Sequence, residues 1–522
     1  MKRRRFLHAS IGAGAGVLVA IACGPAFTSA PDKPGASPSP SGSLLPRRGS
    51  SRGELRVLEP FLPLTLDTDV GISHTILQSL GVCESLMRYR PDLTVEPWVA
   101  SRLEQVDPLT WRVTLRDDVT FWDGQAVDAA AVKASFERTL EKQSTAADLL
   151  PKGTTLAANG RTLTLKTTTP IGVMPMNLAA PTLAIRKSAG DGAIFTGAFR
   201  PTQFTAKESL VLEAYPGYRG GPANLKSIRA RQVADSNARA LALQAGDADI
   251  AQALLPSDVA KLRAAGADVY AAPWARQHML LLNVRSAPLS DPALRRAVSA
   301  AIDRQALVTA VLEGIGTPAY GIAPPDIGLP GIASVQRHDP AESRRLLDAA
   351  GWRIGTGPFR EKDGKRLSFK LGTYPGRTEL DQFAVLIVDQ LKAVGIEASI
   401  ERFQDVEAQL AKNEFQATMY SLGSAVFGDV SRLLATLYTP SPRNRDRYEN
   451  PEVTRLYNDY ITTADPKAHA DQLGRIQELL AQDVPIVHLA NPYQVVASKK
   501  VRNFSPHPLD SYKYDADVML AD

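Results

Sequence analysis

The chain has 522 residues, 44% hydrophobic and 22% charged, which suits a globular protein of about three domain-sized units, long enough to bury a core without disulfide staples. Its two cysteines exclude a disulfide scaffold and any multi-cysteine zinc site. The formal net charge of +5 is concentrated before residue 54, in Lys2, Arg3, Arg4 and Arg5 and then Lys33, Arg47, Arg48 and Arg52. The remaining body is slightly acidic, which excludes the basic face of a nucleic-acid-binding domain.

Lys2-Arg3-Arg4-Arg5-Phe6-Leu7-His8 is a basic head followed by an apolar stretch, Ala9 to Ala22, too short and too rich in glycine for a membrane span. A basic head, a short apolar core and small residues at its end describe an export signal over residues 1–22. Arg3-Arg4-Arg5-Phe6-Leu7 resembles the twin-arginine form. Ala20-Ile21-Ala22-Cys23-Gly24 resembles a bacterial lipobox, with Cys23 as the lipidated first residue of the mature chain; plain cleavage after Ala30 is the alternative. Residues 24–53 are dominated by Pro, Ser, Gly and Ala, so residues 23–53 read as a lipidated cysteine and a disordered tether. The other cysteine, Cys83, sits in an apolar run and is expected as a buried free thiol.

In the body, short apolar runs alternate with helical patterns, which predicts an α/β protein. Thr110 to Leu115 reads as a strand with Trp111, Val113 and Leu115 on one face, and Asp123-Gly124 as a turn. Asp128 is placed to cap a helix carrying Val132, Phe136 and Leu140. Asp291-Pro292 opens a helix with Leu294, Val298 and Ile302, and Ala301 to Arg304 reads as a helix end with an ion pair. Glu342 to Ala350 is a helix stopped by Gly351. Lys362-Asp363-Gly364-Lys365 is a hairpin turn feeding a strand, Leu367 to Leu371. A helix, Gln382 to Val394, ends at Gly395 and leads to a strand, Ile396 to Ile400.

No Gly-x-Ser-x-Gly elbow, His-Glu-x-x-His helix or Gly-x-x-x-x-Gly-Lys loop occurs in the body. Its histidines (His74, His278, His338, His469, His488, His507) are scattered, as surface or satisfied core residues are. No catalytic residue, metal site or cofactor is expected.

Several segments, in order, resemble one family. Cys83 to Tyr89, Pro97-Trp98-Val99-Ala100 and Trp111 to Gly124 are followed by Thr196-Gly197-Ala198-Phe199, Tyr215 to Pro222 and Leu243 to Ile250. Asn283, Pro288, Asp291, Arg295, Ala301 to Arg304, Asp339 to Glu342 and Leu346 to Trp352 complete the series. Together they resemble the family 5 oligopeptide/dipeptide/nickel-binding receptors of ABC importers. The resemblance implies a type II periplasmic-binding fold (cluster C), with two lobes joined by a hinge and an extra subdomain in lobe one. Lobe one would comprise residues 54–275 plus 486–522, and lobe two residues 276–485.

It further implies a monomeric solute-binding lipoprotein on the outer face of the bacterial cytoplasmic membrane. Such a receptor captures a short peptide or a nickel chelate and delivers it to a permease driven by an ATPase; any metal arrives inside its chelate. Gly372 to Leu380, and Phe427-Gly428-Asp429 through Tyr438, resemble the nickel subgroup, with Val430 in place of a Pro. Tyr374 and Arg377 leave a strand at a Pro-Gly turn, Tyr420 and Ser421 end another, and Trp274 and His278 flank the crossover between lobes. With Asp429, these are the candidate ligand-binding residues. The rival readings are an extracytoplasmic hydrolase and a stand-alone sensor on the same fold.

Overall fold

The computed structural model describes residues 52–521 except 143–145, 147, 190–191, 323, 325, 327–335, 426–428 and 442–443. The expected export signal, Cys23 and nearly all of the tether lie outside the described residues, as do Phe427 and Gly428. No helix among the described residues is long and apolar enough to cross a membrane.

Two mixed sheets organise the body. The first has seven strands, in the order Phe199–Thr205, Ser209–Ala214, Ser227–Gln232, Glu54–Glu59, Ile250–Ala251, Gln494–Ser498 and Asp268–Ala272. The second has six: Gly316–Pro318, Ile486–Pro492, Arg276–Leu282, Ala417–Gly423, Ser368–Thr373 and Glu397–Arg402. A separate four-stranded sheet, built from Ala100–Asp107, Thr110–Leu115, Thr162–Lys166 and Thr155–Asn159, carries the helix Ala129–Lys142. Trp111, Val113 and Leu115 are buried on one face of that sheet as expected, and Val132 and Phe136 are buried on the helix.

Helices begin where acid or amide side chains accept backbone N–H bonds: Asp128 from Ala131, Asp291 from Ala293, Asp339 from Glu342 and Asn450 from Glu452. The helix expected from Gln382 begins instead at Thr378 and runs to Lys392. Its apolar periodicity is weak over the first turn, where Glu379 and Asp381 suit the positive end of the helix dipole. The strand before it runs Ser368–Thr373, two residues beyond the expected end, so Tyr374 follows it directly. The expected ion pair at Arg304 is replaced by bonds to neutral acceptors. Arg304 is 1% exposed and donates to the His488 carbonyl at 2.6 Å and to Gln336 at 3.0 Å, while Asp303 caps the helix Arg304–Val311.

The chain crosses from the first sheet to the second between Ala272 and Arg276, and returns between Pro492 and Gln494. The return is later than the expected boundary at residue 486. Strand Ile486–Pro492 pairs with Arg276–Leu282 in the second sheet, because its seven buried residues fill a fully covered central position there.

The segment beside the four-stranded sheet meets the helical hairpin Pro451–Thr462 and Pro466–Asp483 at Gly172. Its N–H donates to the Ile461 carbonyl at 2.8 Å, and a Cβ there would lie 1.5 Å from the Thr463 carbonyl oxygen. Any side chain must push two backbones apart. Gly172→Ala is expected to lower stability by about 1–3 kcal/mol, the range of overpacking; urea unfolding checks this, and an unchanged midpoint would contradict it.

Candidate functional site

Strand Arg276–Leu282 places Arg276 and His278 on one face and Gln277 on the other, by the two-residue period of a strand. Its antiparallel neighbour Ala417–Gly423 sets His278 opposite Ser421 and Met279 opposite Tyr420. Strand Ser368–Thr373 delivers Tyr374 beside them. A Pro375-Gly376 turn, with Gly376 at φ 95°, then leads Arg377 to the start of the next helix.

These residues meet in one polar corner. The Ser421 N–H donates to the Tyr374 hydroxyl oxygen at 3.2 Å, and Ser421 Oγ and His278 Nδ1 are hydrogen-bonded at 3.0 Å. Arg276 Nη1 donates to Ser421 Oγ at 3.3 Å, and its guanidinium lies 4.5 Å from the ring centre of Trp274. Trp274 Nε1 donates to Asp510 at 3.0 Å. Glu379 Oε1 is 3.4 Å from Arg377 Nη1 and 3.6 Å from His278 Nε2. The Tyr374 and Tyr420 rings are tilted neighbours, 6.3 Å between centres, and Tyr420 donates to Glu407 at 2.5 Å.

Five of the predicted residues (Trp274, His278, Tyr374, Tyr420 and Ser421) thus share a neighbourhood with Arg377. His278 is enclosed beneath it at 1% exposure, edge-on to Phe383, and braces Ser421. Asp429 stands elsewhere: it accepts from the Ser431 N–H at 2.7 Å and from the Tyr460 hydroxyl at 2.5 Å. Arg276 and Glu379 are the residues that the sequence reading missed. The two-residue alternation running back from His278 points to Arg276; Glu379 lies within the segment that resembles the nickel subgroup, without being among the candidate ligand-binding residues.

The corner is rich in unused donors. Arg276 Nε is buried and has no hydrogen-bond partner among the described residues. Burial, and then the charge of Arg377, pull the Arg276 pKa down to about 10. Burial raises the Tyr374 pKa, so its hydroxyl keeps its proton. The hydroxyl oxygen accepts from the Ser421 N–H, and its proton is hydrogen-bonded to no acceptor among the described residues. This arrangement can hold a negatively charged or oxygen-rich group.

Burial also keeps histidines neutral. It drives His278 well below its ordinary value, His74 and His507 to about 4, and His488 to about 3. In the unfolded chain each would protonate near pH 6.5. Below that pH the unfolded state therefore binds protons that the fold refuses, and stability falls on acidification until the folded values are reached. Asp446, raised by burial to about 8, works in the opposite direction, but it is one group against four. Unfolding free energy is expected to drop by several kcal/mol between pH 7 and pH 5, at up to about 2 kcal/mol per histidine. Denaturant titrations at the two pH values test this, and equal or greater stability at pH 5 would contradict it.

Residues 94–445 match the model of the bacterial extracellular solute-binding proteins, family 5. Protein XP55 of Streptomyces lividans is 30% identical over 420 residues, 77% of each chain. The nickel-binding protein NikA of Staphylococcus aureus is 25% identical over 476 residues, 90% of this chain and 95% of that one. The solved structure of Staphylococcus aureus NikA with Ni(L-His)2 aligns with a TM-score of 0.76, over 90% of this chain and 99% of that one, at 24% identity. The oligopeptide-binding protein AppA of Bacillus subtilis, with a nonapeptide, aligns with a TM-score of 0.74 over 90% and 99%, at 21% identity. The two-lobed α/β fold expected from the motifs is the fold of these neighbours, and the matching model spans most of the body. The chain belongs to family 5 of the bacterial extracellular solute-binding proteins, the receptors of ABC importers.

Proposed function

We propose that this receptor captures a small carboxylate-bearing solute, foremost a metal chelate, and presents it to an ABC permease. The observation that carries the reading is the donor surplus at Arg276, Arg377 and Tyr374: two guanidiniums and a hydroxyl proton with too few acceptors among the described residues. A buried guanidinium nitrogen without a partner costs about 1–3 kcal/mol or more, a cost removed when a carboxylate enters. Ser421 and His278 hold the donors in place, and Trp274 fixes the Arg276 plane. The resemblance of residues 372–380 to the nickel subgroup, beside the 25% identity to a nickel-binding protein, supports the chelate reading. The nickel travels as part of the cargo, so its coordination is supplied by the chelator. Binding closes the two lobes because the ligand contacts the closed state better than the open one.

Native mass spectrometry of gently purified protein, with metal analysis, separates the cargo classes. Stoichiometric nickel or cobalt with an organic chelator is expected, whereas a ladder of peptides would transfer the reading to peptide uptake. Arg377→Ala is expected to weaken binding of the Ni(II)–histidine complex at least tenfold, consistent with about 2–5 kcal/mol for a truncated charge partner. Unchanged affinity by calorimetry would remove Arg377 from the site.

The chain is further proposed to be held at the outer face of the cytoplasmic membrane through a lipid on Cys23. Cys23→Ser is expected to move the protein from the membrane to the soluble fraction of cells, and unchanged retention would refute the anchor.

A further inference from the structure

Two guanidiniums converge on the polar corner, yet its positive charge is not left at two. The Glu379 carboxylate stands between Arg377 and His278, 3.4 Å and 3.6 Å away, with its side chain only 25% exposed. The other ionisable groups facing the corner contribute less. His278 is enclosed and neutral, and Tyr374 keeps its proton. Tyr420 donates to Glu407, which is itself paired with Arg445 at 3.4 Å. Asp510 reaches the corner through the Trp274 indole and is exposed to solvent, where water and salt screen it. Glu379 is therefore the acid whose charge is least screened from whatever binds between the arginines.

We infer that Glu379 is a specificity-determining residue that matches the site to singly charged anionic cargo. It cancels one guanidinium charge, so a solute with one net negative charge completes neutrality and a doubly charged one leaves an excess. The inference rests on reading Arg276 and Arg377 as the anion site. It goes beyond that reading by assigning the charge class of the cargo to a residue that need not donate a bond to it. A carboxylate aimed at a bound anion costs affinity for every anion, and costs more the larger the anion's charge.

The test uses two complexes of one chelator, similar in size and differing by one charge: Fe(III)–EDTA, singly negative, and Ni(II)–EDTA, doubly negative. Dissociation constants are measured by calorimetry on the full-length protein and on Glu379→Gln, Glu379→Asp and Arg377→Gln. In Glu379→Gln the ratio of affinities is expected to move at least tenfold toward the doubly charged complex, with a steeper salt dependence. Glu379→Asp, which keeps the charge, is expected to retain the parent ratio. A ratio unchanged in Glu379→Gln, or equal weakening of both complexes, would overturn the inference and leave Glu379 as a positioning residue for Arg377. Arg377→Gln separates the two levels. If it weakens both complexes while Glu379→Gln leaves the ratio fixed, only the charge assignment fails. If Arg377→Gln changes neither affinity, or the parent protein binds neither complex, the anion site fails and the assignment with it. Thermal unfolding of each variant identifies any that does not fold, and Glu379→Asp then carries the comparison: a tenfold change in its ratio would also overturn the inference.

Discussion

Like charges held in one half-buried corner repel, and a fold that places Arg276 and Arg377 there must supply compensation. Burial, and then the nearby charge of Arg377, lower the tendency of Arg276 to stay protonated. Compensation comes from three directions: the Trp274 face against one guanidinium, the Ser421 oxygens at its Nη1, and the Glu379 carboxylate at the other. None of these neutralises both charges. On the proposed reading, the positive charge left over is what draws a negative group in.

That balance depends on rigid placement, and the second sheet provides it. Arg276–Leu282 is flanked on both sides, by Ala417–Gly423 and by Ile486–Pro492, so it cannot slip register without exposing its buried face. Behind Arg276 and His278, on the opposite face of the same strand, Gln277 donates to Asn491 at 3.0 Å and accepts from or shares a proton with His488 Nδ1 at 2.5 Å. His488 in turn meets the Tyr438 hydroxyl at 3.3 Å. This buried amide–imidazole network joins the strand just after the first crossing to the strand just before the return. The two connections between sheets, residues 273–275 and 493, thereby leave from strands that are anchored to one another.

The residues that identify the family are largely those that build this frame. Arg295 donates to the Asp483 carbonyl at 2.7 Å, Arg304 to the His488 carbonyl, and Asp291, Asp303 and Asp339 cap helices. Each satisfies backbone groups that would otherwise be buried without partners. The frame requires them whatever the cargo. The corner with two arginines lies outside those blocks.

Much of the frame was legible along the chain. Period-two apolar runs, Asp–Pro helix starts and glycines that end helices are local signals, and the elements at 110–115, 129–142, 292–301 and 340–349 follow them closely. Tyr374, Arg377, Tyr420 and Ser421 could be nominated because they end strands at turns. What local pattern could not reveal was which strand ends meet. Asp429, nominated with them, instead accepts from the Tyr460 hydroxyl and the Ser431 N–H, and the strand from Ile486 belongs to the second sheet. The pairing of Arg276 with Ser421 across 145 positions is decided by sheet register, and that of Glu379 with His278 across about a hundred by where the helix Thr378–Lys392 begins beside the sheet. Charge reaches through space while sequence patterns describe neighbours along the chain, so the chemistry of the corner existed only once tertiary structure had closed it.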